Sequence, residues 1–419
     1  MRILIYSHAF APQIGGAETY AMHLARGLAE RDQGAVSVTV VTQSQKKDFD
    51  DSKLPFAVVR RPGIAKLWKL IRESDVIHLA GPVMVPLVLA LLARKPVVME
   101  HHGYQASCPN GLLLYQPTKT ACPNHYMKGE YSSCLRCNAA ESGWFASLKM
   151  LMLMAPRRWL CRRVSVNLCI SQHVAERLEL PRSVVVYYGV PQLNEIPKRN
   201  EIPESNEIPE PNENFVSIGD ATTSHISGVA SKTVKPSLSI AYVGRLVLEK
   251  DVPTIVEAVR LAQISGYRIA LKIIGDGPDR ARVETAIGSH NFDPPITMTG
   301  YLLNGALSDA LRDAAVVVIP TIMEETAGLA VMEQFARGKP VIVSDIGGLA
   351  EVAGDGGLKF PPGDAKALAE CLRRLVDEPD LLRELGLRAK NRATAMFSLD
   401  RMIEEHFRMF EKLSGGAAR

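Results

Sequence analysis

The stretch IPTIMEETAGLAVMEQFARGKPVIVSD, Ile319–Asp345, decides the fold. A β-rich apolar run ends at Pro320, a helical pattern begins near Ala327, and a second β-rich run follows Gly338-Lys339-Pro340. Short apolar runs alternating with helices predict a parallel sheet covered on both faces. Glu325 and Glu333 bracket the helix start, with Gly328 between them. A helix N-terminus offers unpaired N–H groups and the positive end of a dipole, so it attracts anions. A carboxylate would repel a phosphate seated there, so each glutamate needs another partner. An ionised carboxylate accepts two hydrogen bonds from a diol. A ligand carrying sugar, phosphate and ribose in a row satisfies both. The plainer alternatives are that Glu325 favours the helix dipole and that Glu333 pairs with Arg337 at i, i+4.

The same alternation runs outward in both directions. RILIYSHAF opens the chain as a buried strand, followed by the loop APQIGG and a helix over 17–30. Further strands are predicted at 36–43, 56–61, 75–80 and 96–102. The pattern restarts at SLSIAYVGR (237–245) and continues through RIALKIIG, ITMTG, AVVVIP and KPVIVSD. Two α/β domains of doubly wound, Rossmann-like type are expected. The expected boundaries are 1–191, with a cysteine-bearing loop at 103–143, and 236–395. Residues 396–419 form a terminal helix that could cross back to the first domain. Between the domains, 192–235 contains NEIPKRNEIPESNEIPEP. Proline at that frequency forbids a helix, and few apolar residues are available for burial, so a flexible linker insertion is expected. A docking motif for a partner is the alternative.

The chain has 419 residues, 47% apolar and 22% charged, which is the globular class. Its net charge of +4 is uneven: roughly +10 over Met1–Val190 and roughly −6 over the rest. An anionic partner for the first half and an ordinary solvated surface are equally compatible with that excess. No secretory signal is visible, and no run of 18 apolar residues spans a bilayer. Seven cysteines, an odd number, fit a reducing cytoplasm.

Ligands of open parallel sheets bind beyond the carboxyl ends of the strands. Gly15 and Gly16 sit there after the first strand, and adjacent glycines let backbone approach a phosphate. The dinucleotide fingerprint G-x-G-x-x-G is absent. Arg245 and Lys250 in GRLVLEK close another strand, and an Arg fork with a Lys point charge suits a diphosphate.

The joint pattern of GR-x4-K, then E-x2-G-x4-E ahead of GKPVIVSD, resembles the retaining family 4 glycosyltransferases of GT-B architecture. The resemblance extends along nearly the whole chain. It includes Gly15-Gly16, GDGP (275–278) and GGLAEVAGDGGLKFPPGD (347–364). It implies that Arg245 and Lys250 hold the donor diphosphate with Gly15 and Gly16 nearby. Glu325 would bind the donor sugar, the amides of Gly328, Leu329 and Ala330 the phosphate, and Glu333 the ribose. The base would lie against backbone near Gly300, Tyr301 and Leu302. Within HHGYQASCPNG (101–111), the resemblance places His102 at the catalytic position, with Gly103 where relatives commonly carry Asp. Ala327 stands where the family usually has an aromatic residue.

Three further features lie outside that motif. Cys108, Cys122, Cys134 and Cys137 could form an all-thiolate structural zinc site, with His125 as a substitute ligand. Reduced thiols or a redox-sensitive bridge are the alternatives. SLKMLMLMAPRRWLCRR (147–163) reads as a basic amphipathic segment for an anionic membrane surface, or as a core-packed helix with solvated arginines. DFDD (48–51) holds a D-x-D without matching context and reads as coincidence.

The resemblance therefore implies an enzyme that moves a hexose from a nucleoside-diphosphate sugar to a saccharide or lipid-linked acceptor in cell-surface glycan synthesis. It would need no catalytic metal, engage no nucleic acid, and act in the cytoplasm or on the inner membrane face. A nucleotide-sugar epimerase or sugar-phosphate synthase, and an inactive sugar-nucleotide-binding protein, are the alternatives.

Overall fold

The computed structural model describes residues 1–12, 15–31, 35–46, 49–191 and 237–415. The NEIP repeats of the expected linker lie outside the described residues. In the first half the strands are β1 Arg2–Ser7, β2 Ser37–Thr42, β3 Ala57–Arg60, β4 Val76–Ala80, β5 Val97–His101, the short pair β6 Leu114–Tyr115 and β7 Thr120–Ala121, then β8 Val166–Cys169 and β9 Ser183–Val185. The second half contains β10 Ser237–Val243, β11 Arg268–Ile274, β12 Thr297–Gly300, β13 Val316–Ile319, β14 Val341–Ser344 and β15 Gly357–Phe360.

Two parallel sheets result, ordered β3-β2-β1-β4-β5-β8-β9 and β12-β11-β10-β13-β14-β15. Their central strands β5, β13 and β14 are buried along their whole length, as apolar runs with helices on both faces require. Both orders reverse beside the first strand of the sheet, and that switch point opens a crevice at the strands' carboxyl ends. These are the two Rossmann-like sheets of a GT-B fold.

Glycine sets the close approaches in the second sheet. A Cβ at Gly275 would overlap the Gly244 carbonyl, and one at Gly277 would overlap that of Leu246. The GDGP turn can therefore lie directly on the GRLVLEK loop, and the Leu246 amide bonds the Asp276 carbonyl at 2.9 Å.

Several contacts join the halves. The Glu324 carboxylate meets His173 Nε2 at 2.9 Å and the Arg177 guanidinium. The Glu351 carboxylate accepts from the amides of Gln172 and His173 at 2.8 and 2.7 Å, at the start of the helix Gln172–Leu178. It also accepts from Tyr187 Oη at 2.6 Å. Ser171 Oγ donates to the Thr326 carbonyl. The final helix, Leu399–Gly415, packs on the first helix, Gly16–Glu30, where Tyr20 Oη bonds His406 Nε2 at 2.7 Å.

The amphipathic segment divides differently from its expected reading. A helix Tyr131–Met152 is kinked at Gly143, whose φ is 78°, and a second helix covers Met154–Cys161. Arg157 and Arg158 turn inward, donating to the carbonyls of Gln105, Ala106 and Leu178. Only Arg162 and Arg163 remain on the surface, because the loop 103–108 presents carbonyls that the first two satisfy. Among the described residues no helix is long and apolar enough to cross a membrane.

Candidate active site

The helix predicted near Ala327 begins at Leu329, capped by Gly328 at φ 60° and ψ 53°. That left-handed conformation suits glycine, and a Cβ there would also press on Leu349 Cδ1 at 2.8 Å. The Gly328 carbonyl accepts from the amides of Val331 and Met332. The amides of Gly328, Leu329 and Ala330 have no acceptor among the described residues. Three unpaired donors at a helix start form an anion cradle. Across the crevice, a Cβ on Gly16 would meet Leu329 Cδ2 at 3.4 Å, so the glycine pair faces this helix start.

Around the cradle stand the other residues that the sequence singled out. Lys250 forms an ion pair with Glu325. The Glu325 carbonyl accepts from the Gly348 amide at 2.7 Å and from Tyr104 Oη at 3.3 Å. Arg245 is exposed, and its guanidinium has no partner among the described residues. Arg337 bonds the Glu333 backbone carbonyl at 3.1 Å rather than its carboxylate, so the i, i+4 side-chain pair does not form. Burial pushes the Glu333 carboxyl up, opposed by the Arg337 charge. Tyr301 is 62% exposed and Leu302 partly buried, beyond β12.

His102 follows β5, two residues before Tyr104. Its Nδ1 bonds Tyr188 Oη, and its Nε2 lies 3.4 Å from Glu100 Oε2. A carboxylate from two residues upstream thus stands beside the imidazole, where Gly103 offers none. Burial lowers the His102 pKa, opposed by Glu100. His101 points the other way, to Asn167 Oδ1 at 2.9 Å.

Sequence reasoning missed Glu100, Tyr20, Tyr188, His78 and His406. Glu100 left one trace, an acidic residue inside the apolar run PVVMEHH, on the same strand face as His102. It missed Glu324, Ser171 and Tyr104 as well, whose partners lie in the other half of the chain.

The four cysteines gather in one region, where burial and then the neighbouring Cys108, Cys122 and Cys137 push the Cys134 thiol up. All four are buried and unbridged. Yet among the described residues no three of their sulfurs come within 4.8 Å of one another. Cys137 Sγ accepts from the Gln116 backbone amide at 3.3 Å, and Cys108 Sγ donates to the side-chain oxygen of Asn110 at 3.0 Å. The set of three ligand-type side chains that does meet this spacing is His78, Glu100 and His406. In DFDD, Asp51 is held by Arg60 at 2.7 Å, while Asp48 lies outside the described residues.

Residues 14–191 match the family profile described as Glycosyltransferase Family 4, and residues 230–392 the one described as Glycosyl transferases group 1. The chain is 29% identical over 162 residues to alpha-D-kanosaminyltransferase of Streptomyces kanamyceticus, covering 38% of this chain and 42% of that protein. It is 32% identical over 142 residues to 2-deoxystreptamine glucosyltransferase of the same organism, covering 33% and 36%. The matches therefore span about two fifths or less of those relatives' length. Among solved structures, Anabaena HepE in complex with UDP superposes with a TM-score of 0.67 at 15% identity, over 98% of this chain and 100% of that one. The chain belongs to the group 1 glycosyltransferases, on the GT-B architecture.

Proposed function

We propose that this chain is a retaining glycosyltransferase that moves a hexose from a nucleoside-diphosphate sugar to a saccharide or lipid-linked acceptor. The observation that carries the reading is the convergence at one helix start. The free amides of Gly328–Ala330, the Lys250–Glu325 pair and the unpaired Glu333 carboxylate surround a single anion cradle, with the Gly15–Gly16 loop opposite. The diphosphate sits on the amides, Arg245 and Lys250. Glu325 holds the sugar and Glu333 the ribose diol. Charge that develops on the departing diphosphate is stabilised by fixed donors in a partly dry cleft, which is the main contribution to rate. His102, steadied by Tyr188 and Glu100, lines the sugar end. Residues 1–191 receive the acceptor and 236–395 the donor. No metal takes part in the transfer.

The UDP bound in the HepE structure supports a uridine nucleotide as the first donor to test. Retention of configuration rests on the family resemblance. An acceptor at a membrane is supported by the exposed Trp144, Phe145, Leu148, Met152 and Trp159, near Lys149, Arg162 and Arg163. These residues support a position at the inner membrane face.

A thermal-shift panel of UDP-, GDP-, ADP- and dTDP-sugars without added metal tests the donor site. One nucleotide sugar should raise the midpoint of the wild type, and the increment over its bare nucleotide should vanish in Glu325→Ala. A panel that shifts nothing overturns the donor assignment. Product anomeric configuration by NMR tests retention.

A further inference from the structure

His78 on β4, Glu100 on β5 and His406 on the terminal helix converge behind His102. All three side chains are completely buried. One ligand atom from each lies within 4.8 Å of the other two. His78 Nε2 is 2.9 Å from Glu100 Oε2, and the His102 Nε2 approaches the same oxygen at 3.4 Å. Ligands this close meet a single ion at bonds of about 2.0–2.2 Å after shifts of less than about 1 Å.

The ring nitrogens favour an ion over protons alone. His406 Nδ1 donates to the Met402 carbonyl at 2.7 Å, which leaves Nε2 unprotonated and accepting from Tyr20 Oη at 2.7 Å. His102 Nδ1 shares a hydrogen bond with Tyr188 Oη. An outer hydrogen bond that fixes the tautomer and leaves the inner nitrogen free is the usual arrangement of a metal-binding histidine. Glu100 Oε1 and His102 Nε2 are buried with no hydrogen-bond partner, whereas His78, whose Nε2 faces Glu100, carries no outer bond at Nδ1. Buried polar atoms left unsatisfied are costly and call for an explanation.

We propose that His78, Glu100 and His406 bind one divalent transition-metal ion of the zinc class. His102 Nε2 is the nearest candidate for a fourth ligand. Two imidazoles and a carboxylate suit zinc, with cobalt as a substitute. Tyr20 Oη, now 2.7 Å from His406 Nε2, would move outward to bond Glu100. The ion would fasten the terminal helix to β4 and β5. The ion supplies no step of the transfer, but a bond to His102 would fix the imidazole that lines the sugar end of the proposed donor site.

The test is elemental analysis of the intact protein purified without chelator, together with His406→Gln, His78→Gln and the double variant Cys134→Ser/Cys137→Ser. The expected result is about one zinc per chain in the wild type and in the cysteine variant, and less than about 0.1 in either histidine variant. Cobalt added to the chelator-stripped wild type should produce tetrahedral d–d absorption and raise the melting temperature, which decides the matter even if the histidine variants fail to fold. Two outcomes overturn the proposal. One is a wild type that holds less than about 0.1 metal and ignores added cobalt and zinc, leaving a purely hydrogen-bonded network. The other is metal lost with the cysteines and kept by the histidine variants.

Discussion

Lys250 and Glu325, 75 positions apart in the chain, form an ion pair at the edge of the anion cradle. The pair joins the cation assigned to the diphosphate and the carboxylate assigned to the sugar. Each therefore orients the other before a donor arrives. Lys250→Ala and Glu325→Ala should each lower kcat/KM by about 100-fold or more. The double variant should fall well short of the product of the two losses, because contacting residues do not act additively. Binding of bare UDP separates their roles in calorimetry: Lys250→Ala weakens it, whereas Glu325→Ala changes it by less than about 3-fold.

Glu333 offers a test with opposite signs for stability and binding. Burial raises its carboxyl pKa in the folded state. Its contribution to stability is therefore fully present below the ordinary value of 4.5 and is lost as pH rises through the raised value. Glu333→Gln should be more stable than the wild type at neutral pH, and the difference should close below pH 4.5. The same change should weaken UDP binding by about 10-fold, since a neutral amide replaces a charged acceptor for the ribose diol. Thermal melts across pH, with and without UDP, check both signs.

Glu324 gives the reverse pH dependence at the junction of the halves. Burial pushes its carboxyl up, but the bonds from His173 and Arg177 outweigh this and hold it below the usual range. This stability is present above the ordinary 4.5 and is lost as pH falls through the folded value. Arg177→Ala should flatten that acid limb in melts between about pH 3 and pH 6. It should also loosen the junction, read as a larger radius of gyration in solution scattering at neutral pH.

The exposed aromatic edge near the Gly143 kink yields a membrane prediction. Phe145 is 85% exposed and Trp144 65%. Trp144→Ala/Phe145→Ala should reduce co-sedimentation with vesicles of one-third phosphatidylserine by about 10-fold. Activity on a short soluble acceptor should be unchanged. Equal sedimentation of variant and wild type would exclude this edge as the contact.

Much of this molecule was legible before folding. Strands such as Val316–Ile319, VVVI, and the VIV that opens Val341–Ser344 are continuous apolar runs, and a buried parallel strand needs nothing more. The residues proposed to hold the donor stood out because they sit at strand ends and one helix start, positions marked by Pro320, Gly328 and Gly244-Arg245. The helix start itself lay two residues later than its periodicity suggested, since Gly328 takes the left-handed cap. The arginines of 147–163 were misread in part. Which of them face solvent depends on the carbonyls of Gln105, Ala106 and Leu178, not on their own spacing.

Local pattern determined the two sheets, the crevice and the helix start that bears the proposed donor residues, because periodicity and chain punctuation are properties of neighbouring residues. Only the tertiary structure brought His78, Glu100 and His406 within 4.8 Å of one another and set Glu324 against Arg177. Those meetings depend on which strands lie adjacent and on where the terminal helix lands. That is settled by burying apolar surface over the whole chain, and no local stretch contains both partners.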